Sequence, residues 1–525
     1  MYFRKRSILS LLFLCCFYAT QAVAQISLPA VIGSGMVLQQ KQPVPIWGNA
    51  DPGQAVTVEF AGQAKKTKAN ALGQWGVLLD PMAASSTPHT MTITGSNTVE
   101  LHDILVGEVW FCSGQSNMQL VLWSRTKSIR TTKGDSVIAS ANYPMLKLFN
   151  VSRAVGFGHK KGRLGTWQPC TPQSVKDFSA AAYYFGQELQ RKLGVPVGII
   201  NDSYGGSQVE AWTPQQYLVT SPELRPTVER TRMWRDERAE VRKRYDATLR
   251  EWAKEAKKAK AEGEKFHGAP HPPDALRDYR IAGSIFNNMV KPIIPYAIKG
   301  AFWYQGESNE GRAWQYGLLL PTMIRAWRDR WKQGDFPMGI VQLPNYRDQK
   351  DQPEDAAWSH LRDAQRVTAD TAPNTGLIVT IDIGMAHNIH PHDKLDVGKR
   401  MCRWALADVY GYRMTPTGPM YKHSKVEGPK VMVWFTEVGK GLRSKDGQPL
   451  HEFAIAGKDK QWHWAQAKIV GKNRVEVWSD AVPHPVAVRY AFNNDPKDPN
   501  LTNGTGLPAA PFRTDDWHGP TYGKE

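Results

Sequence analysis

Cysteine is scarce in this 525-residue chain: five in all, of which Cys15 and Cys16 fall within the first twenty-four residues. Cys112, Cys170 and Cys402 remain, with no CxxC and no Cys/His pair at metal-ligand spacing. At most one disulfide can form from three thiols, and their surroundings read as core, so buried free thiols are the expected state. Beyond the N-terminus no uninterrupted apolar run reaches about 18 residues, which excludes a polytopic membrane protein. Zinc-finger, RRM and helix-turn-helix signatures are also missing. The net charge of +17 is therefore not read as a nucleic-acid surface. Much of the excess lies between Arg225 and Lys265, where REWAKEAKKAKAEGEK reads as a solvated helix with Val241, Tyr245, Leu249 and Trp252 as one apolar stripe. At 41% hydrophobic and 22% charged, the composition is that of a globular protein.

Aromatics are plentiful, with 19 Trp and 18 Tyr. Flat rings suit cores and also suit stacking on sugars, so the count alone decides nothing. The chain opens on a leader: Arg4, Lys5 and Arg6 form a basic head, Ile8 to Tyr18 an apolar middle, and Ala22-Val23-Ala24 a small-residue cleavage site. Residues 1–24 are expected to be a cleaved signal peptide, leaving a secreted or periplasmic protein with no integral membrane segment.

From 25 to about 105, AVTVEFAG, GQWGVLL, HTMTIT and NTVELHDILV alternate with turn signals and predict a small antiparallel β domain. The pattern then changes. ILVGEVWFCSG, VPVGIINDSYGG, IKGAFWYQGESN, FPMGIVQLPNY and TGLIVTIDIG are apolar strands separated by helical stretches near 178–193, 318–331 and 392–410. Strands alternating with helices predict an α/β domain over 106–415 with a parallel, doubly wound sheet, interrupted by the charged insertion at about 222–265. A C-terminal β region over 416–525, packing with the N-terminal one, closes the chain.

In such sheets ligands bind at the carboxyl ends of strands, and four polar loops fall there: Ser113-Gly114-Gln115-Ser116-Asn117-Met118, Tyr204-Gly205-Gly206-Ser207, Tyr304-Gln305-Gly306-Glu307-Ser308-Asn309, and His387-Asn388-Ile389-His390-Pro391-His392. A serine nucleophile requires a base within hydrogen-bond reach and amide donors aimed at the developing oxyanion. Ser116 opens a helix after a strand, Gly205 and Gly206 let backbone approach an acyl oxygen, Gln305 offers a side-chain N–H, and His390 offers an imidazole. Taken singly each has a plainer reading, as an N-cap, a tight turn or a satisfied amide. Their coincidence at successive strand ends is what points to acyl chemistry.

The strings CSGQSNM, SYGGSQVEAWTP, IKGAFWYQGESN and IHPHDKLDVGKR resemble the sialate O-acetylesterase family of SGNH-type carbohydrate esterases. LPAVIGSGMVLQQKQPVPIWG near the start and LTNGTGLPAAPFRTD near the end resemble it too, so the similarity covers nearly all of the mature chain. The resemblance implies a flavodoxin-like three-layer α/β/α esterase domain with flanking antiparallel β regions, no metal or organic cofactor, and removal of O-acetyl groups from a carbohydrate substrate. It implies Ser116 as nucleophile and first oxyanion donor, Gly205 or Gly206 as second donor, Gln305 as third with Asn309 as its alternative, and His390 as base and then acid. One departure stands out. The wider group carries an Asp three residues before the catalytic His, and relatives often carry one two before it; here His387 and Asn388 occupy those places. Either His390 works in a dyad, oriented by a carbonyl or by Asn388, or a carboxylate such as Asp382 arrives from elsewhere. The reading from another class is a carbohydrate-binding protein whose esterase site has decayed, which turnover of 4-nitrophenyl acetate would distinguish.

Overall fold

Period-two burial shapes the first strands of the computed structural model, which describes residues 25–124, 126, 131–158 and 165–525. The expected leader, 1–24, lies outside them. β1 (Val37–Gln39), β2 (Val44–Asn49), β3 (Ala55–Phe60), β4 (Gln63–Lys68), β5 (Gln74–Leu79) and β6 (Ser85–Thr94) follow in order. In β3, Val56, Val58 and Phe60 are buried while the residues between them face outward. The lysines of β4 sit on an edge strand that, among the described residues, pairs with β3 alone, where charge discourages further pairing.

β7 (Thr98–Gly114) then runs for 17 residues. Its first half pairs antiparallel with β6; from Leu105 it pairs parallel with β1, and beyond Glu108 it enters a second sheet. The boundary expected near 105 thus falls inside one continuous strand. β7 is followed by α1 (Ser116–Gln119), β8 (Tyr143–Asn150), β9 (Trp167–Cys170), α2 (Ala180–Leu193), β10 (Val197–Ser203) and α3 (Arg225–Ala261). Then come β11 (Gly300–Tyr304), α4 (Ala313–Trp331), β12 (Met338–Val341), α5 (Ala357–Thr371), β13 (Thr375–Ile378) and α6 (Lys394–Trp404).

The central order is β13-β12-β11-β7-β10-β8-β9, parallel throughout except for β9. Numbered by chain order, β7, β10, β11, β12 and β13 lie 2-1-3-4-5, a doubly wound arrangement whose direction reverses beside β7. β8 widens the sheet beyond β10. Both faces are covered, so these strands read as continuous apolar runs. Trp110, Cys112, Ile199 and Phe302 pack with α2 and α6 on one face. Val109, Phe111, Ala301 and Trp303 pack with Tyr316, Leu320 and Trp327 of α4 on the other. Trp110, Trp212, Trp303, Trp327, Trp331, Trp358 and Trp404 are fully buried, so much of the tryptophan serves the core. Cys112, Cys170 and Cys402 are buried free thiols. α3 is the charged helix that the sequence predicted.

The C-terminal region forms two four-stranded antiparallel sheets and one two-stranded sheet. No strand of it pairs with the N-terminal strands among the described residues. It docks instead on α5 and the turn before it: Arg362 donates to the carbonyls of Ala491 and Asn493, and Arg489 pairs with Asp355 at 2.7 Å. The expected packing of one β region on the other gives way to this seat, where the buried Arg362 of α5 finds carbonyl acceptors in the C-terminal region. Among the described residues no helix is long and apolar enough to cross a membrane.

Candidate active site

β10, β7 and β11 end in register: Ser203 and Tyr304 both stand opposite Gly114. Three of the four polar loops therefore leave the sheet at one level on adjacent strands, beside the point where strand order reverses. Gly114 has φ +144, and a Cβ there would overlap the Tyr304 carbonyl, so only glycine lets the chain turn so sharply off the sheet. Gln115 anchors the turn: its N–H donates to the Tyr304 carbonyl at 3.0 Å, and its side-chain oxygen accepts from Ser308 N at 3.2 Å. Ser116, half-buried, is then the first residue of α1, whose opening amides have no partner within the helix.

Gly205 lies directly against it. A Cβ built on Gly205 would sit 3.5 Å from Ser116 Cβ and 3.1 Å from Gln119 Oε1, and Gly205 N–H donates to that oxygen at 2.6 Å. Gly206, with φ +76, faces the ring of Tyr279 instead. Tyr279 stacks on Tyr204 with centroids 5.2 Å apart. Tyr279 comes from the return of the charged insertion, where Arg238 of α3 holds the adjacent Asp278 at 2.7 Å.

His390 is held by its backbone from three directions. Its own N–H donates to Asn388 Oδ1 at 3.0 Å. The carbonyl before it, Ile389, accepts from Asn117 Nδ2 at 2.9 Å. The carbonyl after it, Pro391, accepts from Lys394 Nζ at 2.8 Å. Burial first, and then the Lys394 cation, lower the imidazole below its ordinary pKa. Among the described residues the histidines that meet a carboxylate are His102, His360 and His387, and His390 is not one of them.

Three sequence-derived candidates are placed away from this chemistry. Gln305 is fully buried and spends its Nε2 on the Ser207 carbonyl (3.2 Å) and Asn309 Oδ1 (2.8 Å), which leaves no donor for an oxyanion. Asn309, equally buried, accepts from Val209 N–H at 3.0 Å and donates to Glu210 Oε2 at 2.9 Å. Both belong to the packing around Glu210, a fully buried carboxylate also met by Arg312 and Arg230. Asp382 is engaged at both oxygens by Arg400 of α6, at 2.6 and 2.8 Å, so the salt bridge and not His390 accounts for it. Asn388 does touch the histidine loop, through the His390 amide; its Nδ2 lies 3.1 Å from His392 Nε2.

The comparisons with known proteins cover the same ground. Residues 274–406, from the Tyr279 turn through α6, match the family model for carbohydrate esterase, sialic acid-specific acetylesterase. The sialate O-acetylesterase of Homo sapiens is 27% identical, covering 92% of this chain and 91% of its own length. That of Rattus norvegicus is 29% identical over 74% of this chain and 75% of its own. The crystal structure of a carbohydrate acetylesterase from Xanthomonas citri superposes with a TM-score of 0.77 at 33% identity, covering 94% of this chain and all of that one. The chain belongs to the sialate O-acetylesterase family of carbohydrate esterases.

The motifs of the esterase also bring together residues that sequence reasoning passed over. Asn117, immediately after Ser116, donates to Glu307 Oε1 at 2.6 Å and accepts from Lys394 Nζ at 2.8 Å. Lys394 is fully buried, and burial pulls it down to about 7; burial likewise raises Glu307. The available signal was position: the three side chains stand inside three of the four motif strings. Among the described residues no group of three or more His, Cys, Asp or Glu is placed to hold a metal ion in the esterase.

Proposed function

We propose that this esterase is a secreted hydrolase of O-acetyl esters on carbohydrate, with an SGNH-type catalytic domain and a covalent acyl-enzyme on Ser116. The observation that carries this reading is the common register of β10, β7 and β11, which sets Ser116 against Gly205 at the mouth of the doubly wound sheet. Ser116 Oγ attacks the acetyl carbonyl carbon as the His390 imidazole takes the hydroxyl proton. The oxyanion receives the Ser116 N–H and the Gly205 N–H, the latter exchanging the Gln119 side-chain oxygen for the substrate oxygen. Collapse expels the sugar alkoxide, which is protonated by the imidazolium, and water repeats the sequence to release acetate. With no carboxylate beside His390 among the described residues, the pair works as a dyad. Acetate release across acetylated sialic acids, xylan and pectin tests the substrate class; no release from any acetylated sugar would overturn the reading.

Two expectations follow from the same geometry. A general base must be neutral, and a depressed pKa keeps His390 neutral to lower pH. The acid limb of kcat/KM is therefore expected to have its midpoint below about 6.5, the free imidazole value. A pH–rate profile checks this, and a midpoint above that value would contradict it. The stacked Tyr204 and Tyr279 offer an aromatic surface for a sugar ring beside Gly206. Tyr279→Ala is expected to raise KM for an acetylated sugar roughly 3- to 10-fold while leaving 4-nitrophenyl acetate turnover unchanged. Equal losses on both substrates would remove Tyr279 from sugar recognition.

A further inference from the structure

Serine hydrolases without a triad acid still have to fix the imidazole relative to the nucleophile, because a displacement of about 1 Å costs on the order of 100-fold in rate. In this chain the two reacting groups sit on loops far apart in sequence, after β7 and before α6. What joins them is a bridge of two fully buried side chains, Asn117 and Lys394, and the half-buried Glu307. Asn117 holds the nucleophile loop, Glu307 holds the loop after β11, and Lys394 opens α6. Asn117 stands in the middle, accepting from the ammonium and donating to the carboxylate and to the Ile389 carbonyl. Lys394 reaches past it to the Pro391 carbonyl. The two carbonyls that flank His390 are thus gripped by the residue next to Ser116 and by the cation bonded to that residue.

We infer that Lys394, acting through Asn117 and the Pro391 carbonyl, is a positioning residue that sets His390 against Ser116 in place of a triad acid. The inference rests on the reading that Ser116 and His390 carry the reaction. A lysine left in an apolar interior without this duty would be costly, since a buried ammonium must be fully hydrogen-bonded to persist. Here its partners are the side chain next to Ser116 and the carbonyl next to His390. The charged and titratable groups facing Lys394 are Glu307 from the turn after β11, Asp393 at the start of its own helix, the Tyr304 ring at 5.4 Å, and His390 itself. Asp393 is already occupied as N-cap, accepting from Asp396 N–H at 2.9 Å. The cation also opposes protonation of His390.

Lys394→Met keeps the aliphatic stem and removes both the donors and the charge. It is expected to lower kcat about 10- to 100-fold with KM within about threefold. It should also move the acid limb of kcat/KM to higher pH, because removing a neighbouring cation raises the imidazole pKa. Lys394→Gln restores a donor without the charge, so it should recover part of kcat while keeping the shifted limb. Should Lys394→Met not fold with Glu307 stranded, Glu307→Gln/Lys394→Met removes the carboxylate as well and is read in the same way. An unchanged kcat, or a lowered kcat with the acid limb unmoved, would overturn the inference. Ser116→Ala, assayed alongside, keeps the two questions apart: if it is active the dyad reading fails, and if it is inactive while Lys394→Met is normal only the positioning role fails.

Discussion

Replacing Ser116 with alanine is expected to lower kcat by at least about 1,000-fold while the protein folds normally. Ser116 is half-buried at the first position of a four-residue helix. Its backbone is fixed by neighbours, not by its own hydroxyl: Gln115 binds Tyr304 and Ser308, and Asn117 binds Glu307 and Ile389. Removing Oγ therefore takes away the atom that bonds to the acyl carbon and leaves the loop in place. The residual rate would come from oxyanion donors and substrate binding, which persist in the variant. Steady-state kinetics with 4-nitrophenyl acetate and an acetylated sugar, together with near-ultraviolet circular dichroism, read both halves of the expectation. Turnover within tenfold of the parent in a folded variant would contradict it.

The second large effect is on stability, at Glu210. This carboxylate is almost wholly buried in the turn after β10, bonded to Arg312, to Arg230 at 3.2 Å and to Asn309 at 2.9 Å. Burial alone raises its pKa, but the two guanidinium groups outweigh that and hold the net shift downward. The group is thus ionised at neutral pH, and folding stability gained from it is lost only as pH falls through its depressed value. Glu210→Ala leaves Arg312 and Arg230 facing each other without their shared anion, and Asn309 without an acceptor. Breaking one side of a buried ion pair costs about 3–5 kcal/mol. Denaturant unfolding is expected to show a loss of that size, with Glu210→Gln intermediate because it keeps an acceptor for Asn309. A loss below about 1 kcal/mol in the alanine variant would show that the cluster is not a structural support. The same variant should slow catalysis, since Gln305 and Asn309 hang on this cluster and belong to the loop that carries Glu307.

How far the sequence alone reached follows burial. Stretches covered on both faces, such as β10 and the second half of β7, stand out as unbroken apolar runs and lie within a few residues of where the sequence predicts them. α5 did not stand out, because its buried face carries Ser359, Arg362, Gln365, Arg366 and Thr368 as well as Trp358 and Leu361. A helix wedged between a sheet and a second β region needs polar partners where an ordinary surface helix needs apolar ones, so its period was hidden. β8 was obscured by Lys147, which is buried yet paired with Asp103 at 2.6 Å. The loops of the site were legible as strings, but side-chain direction was not. Gln305 and Asn309 have the right chemistry for oxyanion donors and the wrong orientation. Lys394 reads as an ordinary charged residue in a first helical turn, and nothing in the one-dimensional pattern shows that it is enclosed.

The most direct test of the central claim is peptide mapping after inactivation with an organophosphorus ester that labels activated serines. One phosphoryl group on Ser116, with esterase activity falling in proportion to labelling and no adduct in Ser116→Ala, is the predicted result. Full inactivation with Ser116 unmodified, or complete labelling of Ser116 with activity intact, would contradict the acyl-enzyme.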